Sequence, residues 1–296
     1  MKELSDDELI KELKKRFDTT KKALYDVRII TKKLEDMNRK LRASEQIKSS
    51  FVSLVKNEIN NPLTSILGLS EQLRSGRHSQ ETINTIADMI HQESFTLDFQ
   101  LRNIFITAEL ESGEADMQVA SVNVEALIND AVESFQHLIK EKQLKYDLQV
   151  EGGCAFKTDP EKLSLIISNL LSNAVGFNNV GGRIAIRVAV VDNILNLSVQ
   201  DSGIGIDPNR ISRLFDRFYQ SDSGVRKLYK GHGLGLAVIK ALLDLMGGTI
   251  RAESPEGGGS TFSITLPPLP SNADSNTFSV DGSEFLFDDN ETSEIF

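Results

Sequence analysis

Up to about Ser50 the chain contains neither glycine nor proline and is dense in Lys, Glu, Leu and Arg. Nothing in that stretch breaks a helix. Apolar residues recur at Leu13, Phe17, Leu24, Val27, Leu34 and Leu41, close to alternating three- and four-residue steps with polar gaps. Such a stripe fits a parallel coiled coil; one long amphipathic helix packed on its own chain would carry the same pattern. From Ile47 to about Ser75 the helical period continues through Phe51, Leu54, Val55, Ile59, Leu63, Ile66 and Leu67, with a kink expected just after Pro62. Ser75-Gly76-Arg77-His78-Ser79 reads as a turn. A second helix follows from about Gln80 to Leu110, apolar at Ile83, Ile86, Ile90, Leu97, Leu101, Ile104 and Phe105, with Ser112-Gly113 as its C-cap. One hairpin cannot bury both apolar faces, whereas two hairpins in a four-helix bundle can. The pattern alone therefore predicts a homodimer.

After Glu114 the texture changes. Val122 to Leu138 reads as a helix, Lys145–Val150 and Cys154–Lys157 as strands, and Asp159–Phe177 as a helix opened by Asp159-Pro160. Arg183–Val191 and Leu195–Asp201 form a hairpin through Asp192-Asn193. Ile211–Phe218 and Gly233–Met246 read as helical, and Thr249–Glu253 and Ser260–Leu266 as closing strands around a turn at Glu256 and three glycines. The expected fold class is α+β: a coiled coil (1–46), a helical hairpin (47–113), an α/β sandwich (114–268) and a disordered acidic tail (269–296). The tail's last apolar residues, from Phe285 and at Ile295-Phe296, leave open a docking role beside that of an inert tail. A net charge of −10 over 296 residues argues against nucleic acid as a partner. The single cysteine, Cys154, excludes an intramolecular disulfide and a cysteine zinc site. No apolar run approaches the ~20 residues that span a bilayer, and Met1-Lys-Glu-Leu-Ser-Asp-Asp is not a signal peptide. A cytoplasmic chain is expected.

Three motifs carry chemistry. Asn169-Leu-Leu-Ser-Asn173 puts two amides on one helix face, where amide oxygens suit Mg²⁺ and amide hydrogens suit phosphate. Asp201-Ser-Gly203-Ile-Gly205 follows a strand; a carboxylate there can accept the exocyclic amine of adenine, and glycines let the backbone approach the base. Gly231-His232-Gly233-Leu234-Gly235 opens a helix, whose free N–H groups and dipole favour an anion. Each motif alone has a bland reading as surface amides, a capped turn or a loop.

In this order, with Leu214-Phe215-Asp216-Arg217-Phe218 between the last two glycine motifs, they resemble the N, G1, F and G2 boxes of the histidine-kinase ATP-binding domain. That fold is shared with type II topoisomerases and Hsp90. Upstream, Phe51-Val-Ser-Leu-Val-Lys-Asn57-Glu58-Ile-Asn-Asn61-Pro62-Leu63 resembles the phosphoacceptor box of sensor histidine kinases. The resemblance runs from about Lys48 to Leu266. It implies ATP and Mg²⁺ as cofactors, with Asn173, supported by Asn169, holding the metal and Asp201 binding adenine. Gly203, Gly205, Gly231, Gly233 and Gly235 would shape the pocket beside Phe215, Phe218, His232 and Leu234. Gln220–Lys230 would be the lid, with Arg226, Lys227 and Lys230 available to phosphates. It further implies a response-regulator receiver domain or a partner histidine kinase as binding partner.

Three positions depart from the family. Asn57 stands where the phosphoacceptor histidine belongs; an imidazole offers a lone pair for attack on phosphorus, and an amide nitrogen does not. Gly176 stands where a phosphate-contacting Lys is common, and His232 where Thr or Ser is usual. Glu58 and Asn61 survive; in the family they assist phosphotransfer and orient the water that dephosphorylates a regulator. The expected function is a histidine-kinase homologue of two-component signalling with autokinase activity in doubt. The alternatives are a pseudokinase acting as phosphatase, regulator or scaffold, and an ATPase or chaperone-like clamp on the same fold. His78, His91 and His137 read as structural or solvated rather than as substitute acceptors.

Overall fold

The computed structural model describes residues 6–76, 78–153, 155–216, 233–255 and 258–270. Its first helix, α1 (Asp6–Ser75), crosses the boundary between the two units into which the chain divides, Met1–Lys56 and Asn57–Phe296. Helix formers and the absence of glycine and proline carry α1 to Asn61, and the helix runs on past Pro62 and Gly68. In the first unit the stripe is bare: Leu13, Phe17, Leu24, Val27, Leu34 and Leu41 are all more than half exposed.

In the second unit a turn leads to α2 (Gln80–Ser112), one turn of chain longer at most than expected. The Ser79 side chain accepts from Thr82 N–H at its start, and Gly113, at φ 70°, ends it in the left-handed conformation only glycine adopts freely. The helix read over Val122–Leu138 is three elements. The chain is first a strand, β1 (Ala120–Asn123), then α3 (Val124–Ser134), capped by Asn123, then α4 (Gln136–Glu141) after a break at Phe135. The β1 strand pairs antiparallel with β3 (Ala155–Thr158), a partner more than 30 residues away that no local pattern announces.

The main sheet has five strands, β2 (Lys145–Glu151), β4 (Arg183–Val191), β5 (Ile194–Asp201), β7 (Ser260–Leu266) and β6 (Thr249–Glu253), in the order β2-β4-β5-β7-β6. The β2–β4 pair is parallel and the others antiparallel. Asp192 and Asn193, both at positive φ, make the β4–β5 turn. Alternate residues Ile184, Ile186, Val188, Leu195, Leu197 and Val199 are buried, the period-two face of a half-covered sheet. Over that face lie α5 (Pro160–Gly176), with Asp159 as N-cap and Pro160 at its first turn, and α6 (Gly235–Leu245). The helix expected from Ile211 is a 3₁₀ turn at Pro208–Arg213, preset by Pro208 and capped by Asp207. Leu269, assigned to the tail, donates its N–H to Lys157 O at 3.1 Å and packs on the core. The fold is α+β.

Helix α2 carries a second stripe. Phe95, Phe99, Ile106 and Leu110 pack against the core of the sheet domain. Phe95 and Phe99 meet Phe135 edge-on, with ring centroids 5.3 and 5.8 Å apart.

Candidate nucleotide-binding site

Asp201 ends β5 with 8% of its surface exposed. Its Oδ1 accepts the Gly203 N–H at 2.7 Å, and its Oδ2 accepts the Ser260 hydroxyl. Strand register makes the second bond, because Asp201 pairs with Ser260 across β5 and β7. A buried carboxylate needs such donors.

The following loop is fixed on two sides. Ile204 N–H donates to Phe177 O at 3.2 Å, and an added Cβ on Gly203 would collide with that same carbonyl. On the other side Gly259 N–H donates to Gly203 O at 2.8 Å, and Ile206 N–H to Ser254 Oγ at 2.8 Å. Ser254 in turn donates to Gly259 O at 2.7 Å. Gly205, at φ 72°, is where the loop needs a left-handed residue. Ser254 and Ser260 escaped the sequence reading. Ser260 follows the glycine run directly, and only the pairing of β7 with β5 brings it under Asp201.

Asn169 and Asn173 lie one turn apart on α5, which packs beside both β5 and α6. Asn169 is 3% exposed, and its Nδ2 donates to Asn103 Oδ1 on α2 at 2.7 Å and to Leu165 O at 2.9 Å. Its Oδ1 faces the start of α6, where a Cβ on Gly235 would lie 2.6 Å away. Both amide hydrogens are thus committed, and the residue ties α2, α5 and α6 together. Asn173 differs: its Nδ2 is buried with no hydrogen-bond partner among the described residues. An orphaned amide one turn from that junction fits a ligand oxygen as its missing partner.

The anion end begins with Gly233 at φ 68°, then buried Leu234, then Gly235 as the first residue of α6. Among the described residues no side-chain bond from the N-cap, Leu234, closes that helix, and N–H groups at a helix start suit an anion. Phe215 is half-buried beside the 3₁₀ turn. Phe218, Lys230, Gly231, His232, Arg226, Lys227, the rest of the expected lid, Cys154 and the tail from 271 lie outside the described residues.

Residues 158–270 match the family described as histidine kinase-, DNA gyrase B-, and HSP90-like ATPase. Over 242 residues, 80% of the chain, it is 33% identical to the circadian input-output histidine kinase CikA of Synechococcus elongatus. Over 236 residues, 79% of the chain, it is 30% identical to the sensor histidine kinase RcsC of Escherichia coli. The chain is a homologue of the sensor histidine kinases. It spans 32% of the CikA length and 25% of the RcsC length. Full-length ShkA, solved in complex with AMPPNP, superposes with a TM-score of 0.55 at 24% identity, covering 75% of this chain and 46% of that one. The Acinetobacter baumannii histidine kinase AdeS gives 0.51 at 19% identity, covering 72% and 98%. At those identities the likeness is one of fold.

The phosphoacceptor-like residues of this histidine-kinase homologue sit on α1, in the second unit. Asn57 and Asn61 are exposed, whereas Glu58 is 7% exposed. Among the described residues no group of three His, Cys, Asp or Glu forms a metal cluster, and no helix is long and apolar enough to cross a membrane.

Proposed function

We propose that this chain binds ATP with Mg²⁺ and serves two-component signalling without phosphorylating itself. The observation that carries the nucleotide reading is Asp201. It is a buried carboxylate held by a backbone N–H and a hydroxyl at the end of a central strand, in the sequence context of the G1 box. Held there, it accepts the exocyclic amine of adenine, while Gly203 and Gly205 keep the loop thin enough for the base. Asn173 would hold Mg²⁺, which supplies charge neutralisation at the phosphate oxygens. Asn169 contributes by fixing α5 against α6. The start of α6 takes the phosphates, with Lys230, Gly231 and His232 completing that end. A site that draws on ATP is in keeping with a cytoplasmic domain.

Asn57 decides the chemistry downstream. With no basic nitrogen at that position there is no acceptor for the γ-phosphoryl group. Asn57 and Asn61 present an exposed polar face one turn long on α1. That face supports a pseudokinase reading, in which the chain engages a response-regulator receiver domain or a partner histidine kinase as regulator, phosphatase or scaffold. An ATPase clamp on the same fold would need neither that face nor the heptad stripe.

Titration calorimetry with ADP and Mg²⁺ tests the site. Asp201→Asn replaces an acceptor oxygen by a donor and should weaken binding about tenfold or more. Equal affinity in the native chain and the variant would refute the assignment.

A further inference from the structure

Lys142 is 5% exposed, and its ammonium lies at the C-terminal end of α5. Its Nζ donates to the carbonyls of Val175 at 2.7 Å, Gly176 at 2.6 Å and Asn178 at 3.2 Å. Carbonyls at a helix C-terminus lack intrahelical donors and carry the negative end of the dipole. Here α5 ends on Phe177 at φ −90°, without the left-handed glycine that commonly satisfies them. The main chain of Lys142 holds the same segment, accepting the Gly181 N–H at 2.8 Å.

The segment so held is the one against which the Asp201 loop is registered. Ile204 N–H donates to Phe177 O, the Ser202 hydroxyl to Asn178 Oδ1 at 3.2 Å, and Asn179 Nδ2 to Ser202 O at 3.3 Å. Gly203 is pressed against the Phe177 carbonyl. Lys142 therefore stands behind one wall of the loop: Nζ fixes the backbone at Val175, Gly176 and Asn178, and Phe177 O with the Asn178 and Asn179 side chains fixes Ser202 and Ile204.

We propose that Lys142 is a positioning residue for the nucleotide base. Its buried ammonium closes α5 and thereby sets where the Asp201 carboxylate meets the ligand, although Lys142 itself is turned away into the carbonyls. The proposal rests on the reading of Asp201 as the adenine acceptor.

Lys142→Met keeps the apolar stem and removes the charge. In the full chain it should weaken ADP·Mg²⁺ binding about tenfold. It should also shift the amide NMR resonances of Gly203 and Ile204 in the ligand-free protein. Val132→Ala, a core truncation on α3 at a residue that makes none of the Lys142 or Ser202–Ile204 hydrogen bonds, should lower the melting temperature but leave both readouts at their native values. Asp201→Asn is measured alongside. If Asp201→Asn loses affinity while Lys142→Met binds ADP like the native chain, the positioning role is overturned and the adenine site stands. If Asp201→Asn loses none, the adenine reading itself falls. The positioning role, which rests on that reading, falls with it. Should Lys142→Met fail to fold, Lys142→Gln replaces it; a loss of about threefold supports the role, and native affinity overturns it.

Discussion

Asn57 and Gly176 both stand where the family motifs that this sequence resembles carry another residue, and the structure leaves room for a side chain at each. Asn57 is exposed on an unbroken helix, so a histidine there meets no steric obstacle. A Cβ on Gly176 meets nothing within 4 Å, and the residue is not at positive φ, so glycine is not required there. Incubated with labelled ATP, the native chain should acquire no acid-labile phosphate, since an amide offers no basic nitrogen for in-line attack. Asn57→His should acquire label if the nucleotide end is competent. If it stays bare while binding ATP, Asn57→His with Gly176→Lys should acquire it, because a lysine side chain is then available to the phosphates at position 176. Robust labelling of the native chain would refute the reading of Asn57.

At the scale of elements, α2 is the connection that deserves a measurement. Its stripe of Phe95, Phe99, Asn103, Ile106 and Leu110 reaches the candidate nucleotide site through the buried Asn103–Asn169 bond. Asn103→Leu would leave one buried amide hydrogen of Asn169 unpaired and should cost about 1–3 kcal/mol in denaturant unfolding; an unchanged midpoint would remove the contact from consideration. The same helix faces His137 on α4, whose ring lies 6.1 Å from Phe95. Burial lowers the His137 pKa below 6.5, and nearby His91 lowers it further, while a backbone hydrogen bond involving Ser134 and the charge of Glu141 raise it less. A histidine whose folded pKa is depressed binds fewer protons folded than unfolded, so stability falls as pH drops below about 6.5 and is flat above it. Thermal unfolding between pH 7.5 and 5.5 should show this slope, and His137→Phe should flatten it. An unaltered slope would mean other groups carry it.

For the whole molecule the open question is assembly. Phe17 is 70% exposed, Leu24 65% and Leu34 59% in a single chain, an apolar line that water does not favour. A second copy of the same helix would cover it. Light scattering at micromolar concentration should therefore report about twice the 32.8 kDa chain mass, and Leu24→Lys with Leu34→Lys should lower it. A native monomer would refute the dimer.

Local signals settled a great deal before any coordinates. The start of α2 after Ser79, the cap at Gly113, the Asp159-Pro160 start and the Asp192-Asn193 turn depend on neighbours within a few residues, and each lies where the pattern put it. The three glycine and amide motifs were legible for the same reason. Tertiary structure decided the rest. The β1 strand exists because β3 pairs with it, Ser260 reaches Asp201 through strand register, and Asn169 meets α2 rather than standing free on its helix. The Lys142 ammonium finds the end of α5 across 33 residues of chain. Such partners are chosen by packing between distant segments, where periodicity and spacing carry no information.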